Sequence, residues 1–185
     1  MHVLITGAAG SGTTTLARAL ALHWGTAAVE ADEFFWLPTD PPYTNKREPE
    51  QRRLLFEEAL RSHERCVIAG SVVGWGVEPL LDLVVFVYVD AEIRVRRLRE
   101  REEVRFGQAN PGFLQWAAQY DEGSMEGRSL AKHEAWLLTL SCPVIRLVGE
   151  LPVAEQVARV ARAVPNTSIE RTVFGKPKTA AHVER

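Results

Sequence analysis

The 185-residue chain carries a formal net charge of −2, with 46% hydrophobic and 25% charged residues. That balance suits one globular domain with a sizeable core. It gives no general electrostatic drive toward nucleic acid or membrane, so neither is an expected partner and any anion site must arise locally. Cys66 and Cys142 are the only cysteines, and no signal peptide or long apolar span appears, so a cytoplasmic protein with reduced thiols is the expectation.

Residues 2–6 are a short apolar run that reads as a buried strand. A glycine-rich turn over residues 7–12 follows. Thr13–Trp24 has helical spacing, with Leu16, Leu20 and Trp24 on one face and Gly25 as the stop. Residues 27–31 read as a second strand ending at Asp32, and residues 34–49, rich in aromatics and prolines, as a loop. A helix is predicted over 50–63, and buried strands over 65–69 and 83–89. Residues 91–104 read as a charged helix and 106–112 as a loop. Helical patterns near 113–120 and 129–140, a strand over 144–147 and a helix over 153–164 complete the series. From residue 165 the pattern is weak and polar, and a loose tail over 165–185 is expected.

Strands alternating with helices predict an α/β fold with a mostly parallel sheet. Right-handed crossovers then bring Gly7, Asp32 and Gly70 to one edge of it, and ligands of such sheets bind outside the carboxyl edge.

Residues 7–14, Gly-Ala-Ala-Gly-Ser-Gly-Thr-Thr, meet the pattern G-x-x-x-x-G-K-[ST] at Gly7, Gly12 and Thr14. Thr13 stands where the pattern has lysine. A helix amino terminus offers unpaired N–H groups and partial positive charge, and glycines before it let an anion approach the backbone. Gly7, Ala8, Ala9, Gly10, Ser11, Gly12, Thr13, Thr14 and Thr15 are therefore the candidate nucleotide-phosphate site. Thr14 is the hydroxyl placed for Mg²⁺. The competing reading is a strand-to-helix turn without a ligand. A dinucleotide-binding G-x-G-x-x-G fails in both frames, at Ala9 and at Thr15. Without the lysine, either another cation substitutes or the protein binds a nucleotide with weak turnover.

Arg94, Arg97 and Arg101 share one helix face, and Arg105 continues the stripe if the helix persists. Arginine's planar fork suits phosphate oxygens, so the stripe could supply the missing charge; a solvated surface face with pairs such as Arg96–Glu100 is the alternative. Asp32 reads equally as a carboxylate near the phosphates, holding Mg²⁺ or orienting an acceptor hydroxyl, and as a helix or turn cap. Lys46, Arg47 and Arg53 flank the aromatic loop of Phe34, Phe35, Trp36 and Tyr43, either clamping an acceptor or standing in solvent. Gly70 and Ser71, with Gly74, follow a buried strand and either leave room for a ligand or form a plain turn. Arg128, between Gly127 and Ser129, could reach the site from the lid side, but an exposed position is the expectation. His133-Glu134 lacks the second histidine of H-E-x-x-H, and core packing with Leu130, Trp136 and Leu137 accounts better for that helix. Ser71 has no G-x-S-x-G setting, which leaves a hydrolase elbow unsupported.

The phosphate loop, Asp32 after the second strand and the Arg97-Leu-Arg-Glu-Arg101 pair, in that order, resemble the P-loop nucleoside-monophosphate kinases, a group including adenylate kinases and shikimate kinase-like proteins. The resemblance spans roughly residues 1–163. It implies a three-layer fold with a five-stranded parallel sheet flanked by helices, and a small helical lid over roughly 105–128 of a 1–164 domain. It also implies ATP and Mg²⁺ as cofactors and γ-phosphoryl transfer to a nucleotide or other small acceptor, with Arg97, Arg101 and Arg105 stabilising the transferring group. Ala69-Gly70 departs from the group's frequent Asp-Gly. A nucleotide-binding module with little or no kinase activity is the alternative function.

Overall fold

The computed structural model describes residues 1–164; the tail expected over 165–185 lies outside the described residues. The chain runs β1 (His2–Gly7), α1 (Thr13–Trp24), β2 (Ala27–Glu30), α2 (Ala31–Phe35), α3 (Pro49–Arg61), β3 (Cys66–Ala69), β4 (Leu83–Tyr88), α4 (Ala91–Phe106), α5 (Pro111–Ala118), α6 (Leu130–Leu137), β5 (Val144–Val148) and α7 (Val153–Ala163). The five strands form one parallel sheet in the order β2-β3-β1-β4-β5.

Successive strand residues are apolar because both sheet faces are covered. Val3 and Ile5 point to one side with Leu16, Leu20, Val85, Leu147 and Val160, beneath α1 and α7. Leu4 points to the other with Phe56, Leu60, Ile68, Val84 and Trp136, beneath α3 and α6. A three-layer α/β domain results. Glu30 pairs in register with Ala69, and Ala69 with Ile5, so β2, β3 and β1 end side by side and place α2, residue 70 and the loop after Gly7 on one edge.

Three local expectations change. The second strand stops at Glu30, and Asp32 falls in the first turn of α2, whose N-cap is Glu30; Asp32 is therefore not the cap. The segment read as a loop over 34–49 contains the end of α2 and an antiparallel bridge between Trp36 and Lys46. Helix α4 continues through Phe106 to Gly107, whose φ of 78° ends it, so Arg105 is helical. Asn110 caps α5 by accepting from the Phe113 N–H at 3.2 Å, with Pro111 in the first turn.

Candidate active site

The loop between β1 and α1 is held by its own backbone. Ser11 donates from its hydroxyl (2.8 Å) and its N–H (3.2 Å) to Ala8 O. Gly10 has φ +83°, and a Cβ there would stand 2.6 Å from Arg94 O, so α4 presses directly on the loop and only glycine fits. Helix α1 opens after a left-handed Gly12, with no side-chain cap and no acidic residue in its first turn. Its first intrahelical bond runs from Leu16 N–H to Gly12 O. The amides of Thr13, Thr14 and Thr15 precede that bond and are left to an anion.

Arg97 lines a cavity of about 260 Å³ together with Ser11, Gly12, Thr15 and Gln156. Its guanidinium also pairs with Glu150 at 2.7 Å, both side chains being partly exposed. Arg101 lies further along the same helix, with only a 3.5 Å contact to Glu102. Arg105 reaches the other way. It donates to the Tyr43 hydroxyl at 3.3 Å and lies over the Tyr43 and Phe106 rings. With a rise of about 1.5 Å per residue, the eight positions from Arg97 to Arg105 span about 12 Å along the helix.

Arg94 leaves the stripe. It is fully buried and donates to Val89 O (2.8 Å), Ala117 O (3.0 Å) and Asp121 Oδ2 (2.9 Å), with its guanidinium over the Tyr120 ring. Its donors are spent on joining α4 to α5, because a buried guanidinium must be satisfied. It supports the loop from behind and is not available to a ligand.

At the β2 end of the same edge a second cavity, of about 360 Å³, is lined by Asp32, Glu33, Trp36, Thr39, Tyr43 and Arg47 among others. Arg47 donates from Nε to Phe34 O at 3.0 Å, which ties it to the end of α2. Arg53 is engaged within α3, at 2.7 Å from Glu50 and in close contact with Glu57. Asp32 is exposed and enters none of the ion pairs among the described residues. Gly70 has φ +118°, and a Cβ there would meet the Ala31 Cβ at 3.0 Å. Its small size lets α2 close against β3 and so sets where Asp32 stands, rather than leaving open space.

Sequence reasoning passed over Arg52 and gave His133 and Arg128 plainer roles than the structure does. Arg52 packs against the stacked pair of Phe35 and Trp75, whose centroids are 6.3 Å apart, its Cζ 4.8 and 4.6 Å from them, and burial lowers its pKa. His133 is more than core packing. Its Nδ1 meets the Tyr120 hydroxyl at 2.6 Å, while Nε2 meets Thr6 Oγ1 at 3.3 Å and Ser71 Oγ at 3.4 Å. Thr6 directly precedes the loop. Burial, then the nearby Arg128 charge, push the His133 pKa down to about 4, and burial raises that of Tyr120, so both are uncharged at neutral pH. A neutral imidazole satisfies every contact when Tyr120 donates to Nδ1 and Nε2–H is shared by the two hydroxyls.

Arg128, expected in solvent, is half-buried. Its guanidinium lies 5.5 Å over the Trp116 ring. Burial lowers its pKa, and the Asp32 carboxylate opposes that. The Gly127-Arg128-Ser129 string carried no periodic signal; its position follows from the α5–α6 connection folding back on α5, where Trp116 Nε1–H donates to Glu126 O and Leu130 N–H to Tyr120 O.

Comparison with known proteins agrees with this geometry. The chain is 39% identical over 172 residues to the uncharacterized protein YqaC of Bacillus subtilis, covering 86% of this chain and 94% of that protein. It is 32% identical over 113 residues to a cytidylate kinase of Archaeoglobus fulgidus, where the match covers 55% of this chain and 62% of the kinase's length. Among solved structures, a shikimate kinase from Bacteroides thetaiotaomicron superposes with a TM-score of 0.57 at 16% identity, over 88% of this chain and 97% of that one. At that identity the likeness speaks for the fold alone. The AAA domain family model, AAA_18, matches residues 3–109, more than half of the chain and the part holding the loop, Asp32 and the arginine helix. With β1, the glycine turn and α1 arranged as a phosphate-binding unit in a kinase-like fold, the chain belongs to this P-loop NTPase family.

Proposed function

We propose that the protein is a phosphotransferase that moves the γ-phosphoryl of ATP to a nucleotide or another small acceptor. The observation that carries this reading is Arg97 beside Ser11, Gly12 and Thr15 at the sheet edge where the acceptor-side cavity also opens. The amides of residues 7–15 would hold the ATP phosphates. Arg97, Arg101 and Arg105 would meet the charge on the transferring group. Asp32, Arg47, Arg53, Gly70 and Ser71 form the acceptor side, with Gly70 acting through the position of α2 and Arg53 only once released from its glutamates. In the transfer, an acceptor oxygen bonds to the γ-phosphorus as the bridging oxygen leaves with ADP. An acceptor hydroxyl would give its proton to the Asp32 carboxylate.

Thr14 at the first turn of α1 and the unpaired Asp32 carboxylate fit Mg²⁺, a hard ion that takes oxygen ligands and keeps several waters. No group of three His, Cys, Asp or Glu converges among the described residues, so phosphate oxygens and water would complete the shell. When bound, the ion neutralises phosphate charge. We assign residues 105–128, including α5, to a lid over a 1–164 domain, and the reaction to the cytoplasm, where ATP and free thiols such as Cys66 and Cys142 coexist. No helix among the described residues is long and apolar enough to cross a membrane.

The name of the cytidylate kinase relative favours a nucleotide acceptor. A thermal-shift and phosphotransfer screen of nucleotides and small acceptors with ATP and Mg²⁺ tests the proposal; stabilisation by ATP with transfer to one acceptor is expected, and neither would overturn it. The second reading, a nucleotide-binding module with weak turnover, is favoured by Thr13 and Ala69. It predicts stabilisation by ATP without transfer to any acceptor.

A further inference from the structure

One buried titratable group takes no part in the proposed transfer. His133 is shut away on α6, and both of its ring nitrogens are engaged. The ring is fixed by packing. Phe86 meets it edge-on, with centroids 5.6 Å apart, and Trp136 lies tilted at 6.3 Å. Tyr120, the partner at Nδ1, is fixed as well. It is buried, its ring centroid is 5.2 Å from Arg94 Cζ, and its carbonyl accepts Leu130 N–H at 2.8 Å.

At the other nitrogen stand Thr6 and Ser71. Gly70 N–H donates to Ile5 O at 3.0 Å, which sets Ser71 beside Thr6 at the carboxyl edge of β3 and β1. Thr6 is fully buried, whereas Ser71 is only partly so. Ser71 Oγ has no hydrogen-bond partner other than His133 among the described residues.

A neutral imidazole carries one N–H, and the distances select where it sits. The 2.6 Å contact at Nδ1 is short for an N–H donor and ordinary for a hydroxyl, so Tyr120 donates there. The proton is then on Nε2. Its two contacts, 3.3 Å to Thr6 Oγ1 and 3.4 Å to Ser71 Oγ, are long and nearly equal, as one hydrogen divided between two oxygens requires. In the other tautomer the single Nε2 lone pair takes a proton from one hydroxyl and leaves the other contact unmade. Ser71 Oγ thus receives a proton from the core, and its own O–H is left for a partner at the edge.

We propose that Tyr120 and His133 are positioning residues for Ser71, fixing its hydroxyl as a hydrogen-bond donor to an unprotonated oxygen of the acceptor substrate. This rests on the proposed function. A purely structural plug would tie α6 to the sheet in either tautomer and leave acceptor use unchanged.

The tautomer is read by nitrogen NMR of the histidine-labelled protein, with the His133 signal assigned by its loss in His133→Gln. Nε2–H is expected in the wild type and a mixture in Tyr120→Phe; Nδ1–H in the wild type overturns the assignment. The consequence is read by phosphotransfer from ATP-Mg²⁺ to ribonucleoside monophosphates and free sugars. Loss of the bond in Ser71→Ala raises the acceptor KM about fivefold or more, while the KM for ATP stays within about threefold. Tyr120→Phe raises the acceptor KM about threefold or more in the wild type and less than about twofold in the Ser71→Ala background, because it acts through that hydroxyl. A smaller rise in Ser71→Ala, or an equal effect of Tyr120→Phe in both backgrounds, overturns the proposal. Should Tyr120→Phe not fold, the wild-type tautomer and Ser71→Ala decide. Absence of transfer to any of these acceptors by the wild type removes the proposed function and this inference together. Transfer that ignores Ser71 removes only this inference.

Discussion

At the β1 end of the sheet edge the loop is held by short local contacts, with the Ser11 hydroxyl and N–H bonded to Ala8 O and Gly10 pressed to Arg94 O. At the β2 end the chain from α2 into α3 is held by side chains: Phe35 on Trp75 with Arg52 beside them, Phe34 against Phe56, Arg47 on Phe34 O. The donor side is therefore rigid and intolerant of added atoms. The β2 end is cushioned by rings and charges, which would suit the acceptor side of the proposed transfer. The difference teaches where mutations will be read: as lost fold and nucleotide binding on one side, as altered acceptor use on the other.

The most damaging change should be Gly10→Ala. It adds a methyl at 2.6 Å from Arg94 O in a left-handed backbone conformation. Strain and overpacking together are worth about 2–5 kcal/mol, visible in urea unfolding and as loss of the ATP-dependent thermal shift. Wild-type stability would show that the loop is not clamped by α4.

Next is acid sensitivity through His133, which joins the two sides. Its folded pKa is about 4 against a reference of 6.5. The unfolded chain binds that proton between the two values and the folded chain does not. This contribution is therefore complete above pH 6.5 and falls away as pH drops toward 4, by an amount on the order of 3 kcal/mol. His133→Gln should flatten the stability profile over that window; an unchanged slope would remove His133 as its source.

Arg97→Ala and Arg101→Ala probe the donor side without touching the core. Each should lower phosphotransfer tenfold or more, about 1.4 kcal/mol or above, with much less effect on ATP binding. Equal turnover in wild type and both variants would remove the arginine helix from the mechanism. Arg52→Met probes the other side. Losing the guanidinium packed against Phe35 and Trp75 should cost about 1–2 kcal/mol of stability and change acceptor KM while ATP affinity holds. A matching loss of ATP affinity would mean the two sides are not separable. The smallest effect belongs to Glu150→Gln, which frees the partly exposed Arg97. Stability should move by less than about 1 kcal/mol, while the salt dependence of ATP binding becomes steeper.

How much of this was legible follows from what each signal depends on. The glycine spacing, the unbroken apolar strand runs and the helix periods are local patterns. They determined the α/β class, the parallel sheet and the phosphate loop from the sequence alone, because backbone geometry repeats over a few residues whatever lies around it. The arginine spacing was local too, but it could not tell Arg94 from Arg97: both lie on one helix face, and only the arrival of α5 and Asp121 buries the first. Gly70 read equally as room for a ligand and as a plain turn, and only the closure of α2 through Ala31 decided against open space. Thr6, Ser71, Tyr120 and His133 meet across as many as 127 positions of chain, and Arg128, readable as lid-side or solvent-facing, proved half-buried. Long-range packing alone decided which polar groups were shut away from water, and burial is what gives a charge its partners and its chemistry.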